Sequence, residues 1–243
     1  MAMNAKRLIG AALALAVVLT PLTASANPDK MSKGEHRQLQ DLTEKSGGTI
    51  QIRWDEQHGT PSFISGKLSK PLKGEPMEQA LKFMDTVKAL YHFDSAKKTF
   101  RLRKVQKDEL GMTHVRLAHI CNNIPVWGDE LIVHIDKDGV VRSVNGEFTP
   151  DLSKNTERIQ QPQLNSDTAI EKALADVKPK QQDGKPTAAL FYFPYPEPDV
   201  VTLVYVVTIR DMSVPAEWKV FVDAMSGDVV HKYNNLKFKQ KGS

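Results

Sequence analysis

The chain has 243 residues and a formal net charge of +4 at pH 7, with a single cysteine, Cys121. One cysteine excludes an internal disulfide. No concentrated basic face interleaved with aromatic platforms points to nucleic acid as a partner.

Lys6 and Arg7 form a positive leader, and Leu8 to Leu19 is an apolar run rich in Ala, Leu and Val. Pro21 breaks that run, and Ala24-Ser25-Ala26 is a small-x-small cleavage site. Residues 1–26 therefore read as a signal peptide cut between Ala26 and Asn27. The apolar run is shorter than the roughly 20 residues needed to span a bilayer. The expectation is a secreted protein without a stable membrane anchor. Without Lys6 and Arg7 the formal charge falls from +4 to +2, so the basic balance says little about a polyanionic partner. The remaining length accommodates one large domain or two small ones.

Residues 27–48 are polar and weakly periodic, and they end in Ser46-Gly47-Gly48. They read as a flexible lead-in that includes a short helix. Ile50, Ile52 and Trp54 then alternate with polar residues as in a strand, and Gly59-Thr60-Pro61 turns the chain towards Phe63 and Ile64. From Glu75 to Phe93 a helix is predicted. Pro76 suits its first turn, and Met77, Ala80, Leu81, Met84, Val87 and Leu90 recur at helical spacing.

Strands are predicted from Phe100 to Val105, from Met112 to Ile120, around Leu131, Val133 and Ile135, and from Val141 to Phe148. Asp136-Lys137-Asp138-Gly139 forms the hairpin turn before the last of these. Cys121 continues the alternation of Val115 and Leu117, as a core thiol does. Residues 151–165 are polar and linker-like. A second helix begins at Asn165 or Ser166 and buries Ala169, Ile170, Ala173, Leu174 and Val177. Strands follow at Ala188 to Phe193, Val200 to Ile209 and Glu217 to Asp223. The middle one is so apolar that it belongs at the centre, covered on both faces. Met225-Ser226-Gly227-Asp228 turns into Val229-Val230-His231, and residues 236–243 form a basic tail. The predicted fold is α+β: two consecutive modules, each a main helix packed on an antiparallel sheet of hairpins.

The sequence carries no specific catalytic signature. None of the seven histidines lies in a His-Glu-x-x-His helix. The odd spacing of His114 and His119 on a strand points them to opposite faces, so they cannot share a metal. No Gly-x-Ser-x-Gly elbow is present. The Gly59 to Lys67 stretch departs from a phosphate loop. Asp136, Asp138 and Glu147 lack the glycine placement of an EF-hand. No cofactor and no catalytic residue is predicted.

Three stretches carry a resemblance. The first runs through Gly66-Lys67-Leu68, Ala80-Leu81-Lys82-Phe83-Met84 and Leu90-Tyr91-His92-Phe93. The second is Asp108 to Arg116, Ile124-Pro125-Val126-Trp127-Gly128-Asp129-Glu130 to His134, and on to Val144-Asn145-Gly146. The third is Trp218-Lys219-Val220-Phe221-Val222-Asp223 to Val230. Together they resemble the pro-region of the secreted thermolysin-like (bacillolysin) metalloproteases. Residues 49–150 resemble its fungalysin/thermolysin propeptide module and residues 166–235 its PepSY module, joined by the linker at 151–165.

In that family the pro-region precedes a zinc-bearing catalytic domain. This chain reaches Ser243 without one and reads as a pro-region encoded alone. The resemblance implies no enzymatic activity of its own, and a partner: a thermolysin-like catalytic domain, inhibited or helped to fold in trans. Two surfaces are candidates for that contact. One is the tail, where Asn235–Leu236 and Lys237–Phe238 place a large apolar residue after a peptide bond. The other is Ile124, Pro125, Val126 and Trp127, in which Trp127 is either an interface anchor or packing between the modules. The competing readings are a truncated protease precursor and an extracellular or cell-wall binding module.

Overall fold

A computed structural model describes residues 31–152, 161–194 and 200–236. The signal-peptide and cleavage-site expectations at Ala26 and Asn27, and the tail residues Lys237 and Phe238, lie outside the described residues.

Helix α1 spans Lys33–Lys45. Its start is fixed by a capping box: the Ser32 hydroxyl accepts from the Glu35 N–H, and the Glu35 carboxylate accepts from the Ser32 N–H. The described part of the lead-in thus carries a capped helix of 13 residues, longer than the short helix expected. Tertiary contacts hold it. Leu42 is buried in the first core, and the Ala89 N–H donates to Gln38 Oε1 at 2.7 Å. These contacts join segments about 50 residues apart, so local periodicity could not reveal them.

Strands β1 (Ile50–Trp54) and β2 (Pro61–Gly66) pair antiparallel, as the turn at Gly59 predicted. Helix α2 starts at Pro76 as expected but ends at Thr86. The apolar spacing runs past that end because Val87, Leu90 and Tyr91 are fully buried in the following turns. Burial, not helical repeat, sets their positions. A short helix α3 (Ala96–Thr99) leads into β3 (Phe100–Lys107), β4 (Thr113–Cys121), β5 (Ile124–Ile135) and β6 (Val141–Glu147).

The β4–β5 hairpin closes through Asn122 and Asn123, both at positive φ (50° and 66°). Asparagine tolerates that geometry, and it suits a two-residue hairpin turn. This turn starts β5 seven residues earlier than the alternation at Leu131 indicated. Gly146 has φ +139°, and a Cβ there would strike the Glu130 carbonyl oxygen, so the close β5–β6 approach requires glycine.

In the second half, the Asn165 side chain caps helix α4 (Ser166–Val177) by accepting from the Thr168 N–H. Strands β7 (Thr187–Phe193), β8 (Thr202–Asp211), β9 (Ala216–Asp223) and β10 (Val229–Asn234) follow as antiparallel neighbours. Ala169 and Ala173 of α4 let the helix lie close on Val207, Ile209, Val220 and Val222. The opposite face of this sheet carries Val204, Val206, Phe193 and Phe221, with Trp127 packed against them. β8 is therefore central and covered on both sides, as its composition required.

The fold is α+β, with a curled sheet in the order β1-β2-β6-β5-β7-β8-β9-β10 and with β4 and β3 reached through β5. All named pairings are antiparallel except one: Val126 of β5 pairs parallel with Tyr192 of β7. That contact stitches the two halves together. A small core of Cys121, Val126, Leu152, Tyr192, Leu203 and Ala224 surrounds it. Leu152, inside the stretch read as linker, is buried there.

Candidate functional site

The two halves meet at a groove of about 620 Å³, whose walls include Trp54, His58, Trp127, Asp129, His231 and Tyr233. Six elements build it: the end of β1 with its turn, Ser62 of β2, residues 127–129 of β5, the end of β6, the end of β7, and β10. Trp127 stands edge-on to Phe191 and to Phe221, with centroids 5.0 and 5.1 Å away. His231 stacks on Phe193. An aromatic layer thus continues from β5 across to β10.

The polar wall is acidic. Asp55 accepts hydrogen bonds from the Gln57 and His58 N–H groups, and His58 Nδ1 lies 2.7 Å from its second oxygen. Burial pushes the Asp55 carboxyl up, but the His58 ring and these N–H donors outweigh it and hold it below its ordinary range. Deeper in the wall, Asp129 is buried. It faces His119 Nδ1 at 2.7 Å and accepts from both the N–H and the hydroxyl of Thr149. His119 stacks on Phe148 at 4.3 Å. This buried pair was missed in the sequence. Its only signal was a histidine at an inward position of an otherwise apolar alternation.

The structure separates the predicted contact residues. Ile124 and Pro125 are half-buried in the β4–β5 hairpin, opposite Cys121 and Ile120. Val126 is buried at the seam, and Trp127 is half-buried between the halves. Asn235 and Leu236 lie beyond β10. The Asn235 N–H and side-chain amide both donate to Glu217, and Leu236 is exposed. Tyr233 of β10 reaches the groove, so β10 connects the groove to the tail. His114 and His119 lie on opposite faces of β4, as their spacing predicted.

Among the described residues no group of three or more His, Cys, Asp or Glu side chains is placed to hold a metal ion, and no helix is long and apolar enough to cross a membrane. What the groove offers is an aromatic floor, an acidic rim and an adjoining strand.

Residues 98–148 match the Fungalysin/Thermolysin Propeptide Motif. Over these residues the chain is similar to the propeptide of fungalysin- and thermolysin-type proteases. The propeptide motif covers β3 to β6, so Trp127, Asp129 and Glu147 of the groove belong to it, whereas Trp54, His231 and Tyr233 come from outside. The resemblance to thermolysin-like proteases is borne out over most of the chain. It is 34% identical over 193 residues to Thermolysin of Alicyclobacillus acidocaldarius subsp. acidocaldarius, a match covering 75% of this chain and 34% of the relative. It is 28% identical over 250 residues to Thermostable neutral protease NprT of Geobacillus stearothermophilus, covering 99% of this chain and 41% of the relative. The chain therefore spans about a third to two-fifths of the length of these relatives. Among solved structures, the Bacillus megaterium YpeB C-terminal domain aligns over 85% of this chain at 11% identity and a TM-score of 0.38, too low to carry an argument.

Proposed function

We propose that the protein is a secreted, propeptide-like inhibitor or folding chaperone, or both, that acts in trans on the catalytic domain of a thermolysin-like zinc metalloprotease. The observation that carries this reading is the propeptide motif at residues 98–148, within a chain similar to only part of such proteases. The second half, residues 166–235, serves in this reading as the PepSY-like module that presents the tail.

The geometry supports a strand-based contact. Among the described residues β10 pairs on one side only, with β9, and it runs straight into Asn235 and exposed Leu236. An extended segment in a protease cleft gains affinity from main-chain hydrogen bonds and selectivity from side-chain pockets. Leu236 and Phe238 supply the large apolar side chains. Trp127 acts indirectly, holding the sheet that carries β10 in register with the propeptide motif.

The test mixes residues 27–243 with a thermolysin-like catalytic domain and follows both proteolysis of casein and the yield of active enzyme on refolding. Inhibition or improved refolding is expected, and no change in either overturns the reading. Residues 232–234 belong to β10, so a truncation that probes the tail alone must end at Asn235. Loss of inhibition on that truncation is expected. Unchanged inhibition would move the blocking element to the folded body.

A further inference from the structure

Strands β4 and β5 carry a histidine pair that the proposed function does not use. His114 of β4 and His134 of β5 are direct cross-strand partners. Their Nδ1 atoms lie 2.6 Å apart, and their rings stand nearly perpendicular with centroids 4.8 Å apart. Each outer nitrogen faces an oxygen. His114 Nε2 lies 3.1 Å from the Asp108 carboxylate, and His134 Nε2 lies 2.6 Å from Asn145 Oδ1.

The assignment of the ring hydrogens follows from the Asp108 carboxylate and from Asn145 Oδ1 as placed facing the two Nε2 atoms. A carboxylate and an amide oxygen accept only, so both Nε2 atoms carry hydrogen and donate. Both Nδ1 lone pairs then point at one another, and two facing lone pairs repel unless a cation sits between them. An oxygen acceptor on the far nitrogen is also how proteins orient metal-binding imidazoles and raise their basicity. Asp108 is itself preorganised. Its carboxylate accepts from the N–H groups of Leu110 and Met112, so it is not free to swing away.

We propose that His114 and His134 bind a divalent transition-metal ion through their Nδ1 atoms, with Asp108 and Asn145 as the orienting acceptors. Imidazole nitrogens favour zinc and copper over calcium or magnesium. Two Zn–N bonds of about 2.0–2.1 Å at a tetrahedral angle put the nitrogens about 3.3 Å apart, so the strands need part by well under 1 Å. The neighbouring charges allow it. Arg116, two residues from His114, is ion-paired with Glu130 at 2.5 Å. Because only two side-chain nitrogens converge here, the remaining positions fall to water or to donors from a docked partner. The ion is therefore exchangeable, not a structural staple.

The test titrates the full chain with Zn²⁺ against a chromophoric chelator, and follows the imidazole ¹⁵N resonances during the titration. One equivalent should bind, with the Nδ1 resonances of His114 and His134 shifting together. His114→Gln and His134→Gln should each weaken binding at least tenfold, and Asn145→Leu by about 10–100-fold as loss of an orienting acceptor does. Circular dichroism of each variant separates loss of the site from loss of fold. Zn²⁺ binding that survives both histidine substitutions overturns the proposal. So do ¹⁵N resonances that stay fixed on adding Zn²⁺, which would mean a shared proton only.

Discussion

Trp127 meets Phe221 edge-on, their ring centroids 5.1 Å apart and their planes at 90°. The first residue belongs to β5 and the second to β9, so this contact and the Val126–Tyr192 pair beside it couple the two halves of the sheet. Trp127→Ala is expected to destabilise the protein by about 2–3 kcal/mol, below the value for a fully buried tryptophan because the side chain is only partly buried. Urea unfolding followed by both fluorescence and circular dichroism checks this. Two separated transitions would show the halves uncoupled, whereas an unchanged midpoint would make Trp127 a surface residue.

The buried His119–Asp129 pair behaves differently, because its groups are committed to each other and to Thr149. Asp129→Asn removes the charge and one acceptor while the imidazole stays buried. The expected cost is about 2–4 kcal/mol. A cycle with His119→Gln should give a coupling of about 1 kcal/mol or more. Additive effects would mean the pair is incidental.

Tyr91 is fully buried, and its hydroxyl has no hydrogen-bond partner among the described residues. Burial pushes its pKa up. An unsatisfied buried hydroxyl costs stability, so Tyr91→Phe should raise stability by about 1 kcal/mol. Edge packing of the ring on Phe148 is retained by phenylalanine. A lower melting temperature for this variant would show that the hydroxyl is satisfied in solution.

Docking of α1 should depend on pH through Glu35. Burial pushes its carboxyl up, but hydrogen bonds from Ser32 and His92 outweigh that and hold it below its ordinary value of 4.5. The unfolded chain therefore takes up this proton first as pH falls. The stabilisation is fully present above about pH 4.5 and is lost as pH drops through the lower folded value. Amide exchange in residues 33–45 should accelerate there before the sheet opens, and Glu35→Gln should remove the pH dependence. Simultaneous exchange of α1 and the sheet would refute a local event.

Much of the fold was legible because its signals are local. Alternation marked the strands, Pro76 and Asn165 marked helix starts, and Asp136 to Gly139 marked a hairpin. The three segments resembling a thermolysin-type pro-region were also visible, since the resemblance is carried by short runs of neighbouring residues. Helix α1 was underestimated because contacts with Gln38 and Leu42, not its own periodicity, hold it. The end of α2 was overestimated because buried turns mimic helical spacing.

The site was less legible. The sequence by itself determined which residues alternate inward, that His114 and His119 face opposite ways, and that no His-Glu-x-x-His helix is present. Only the tertiary structure decided that Trp127 sits between the halves, that His119 finds Asp129, and that His114 stands opposite His134. The physical reason is register. A strand's own sequence specifies which of two faces each side chain takes, but its neighbour across the sheet depends on turn length and bulges. A turn as short as Asn122-Asn123 decides which residues meet.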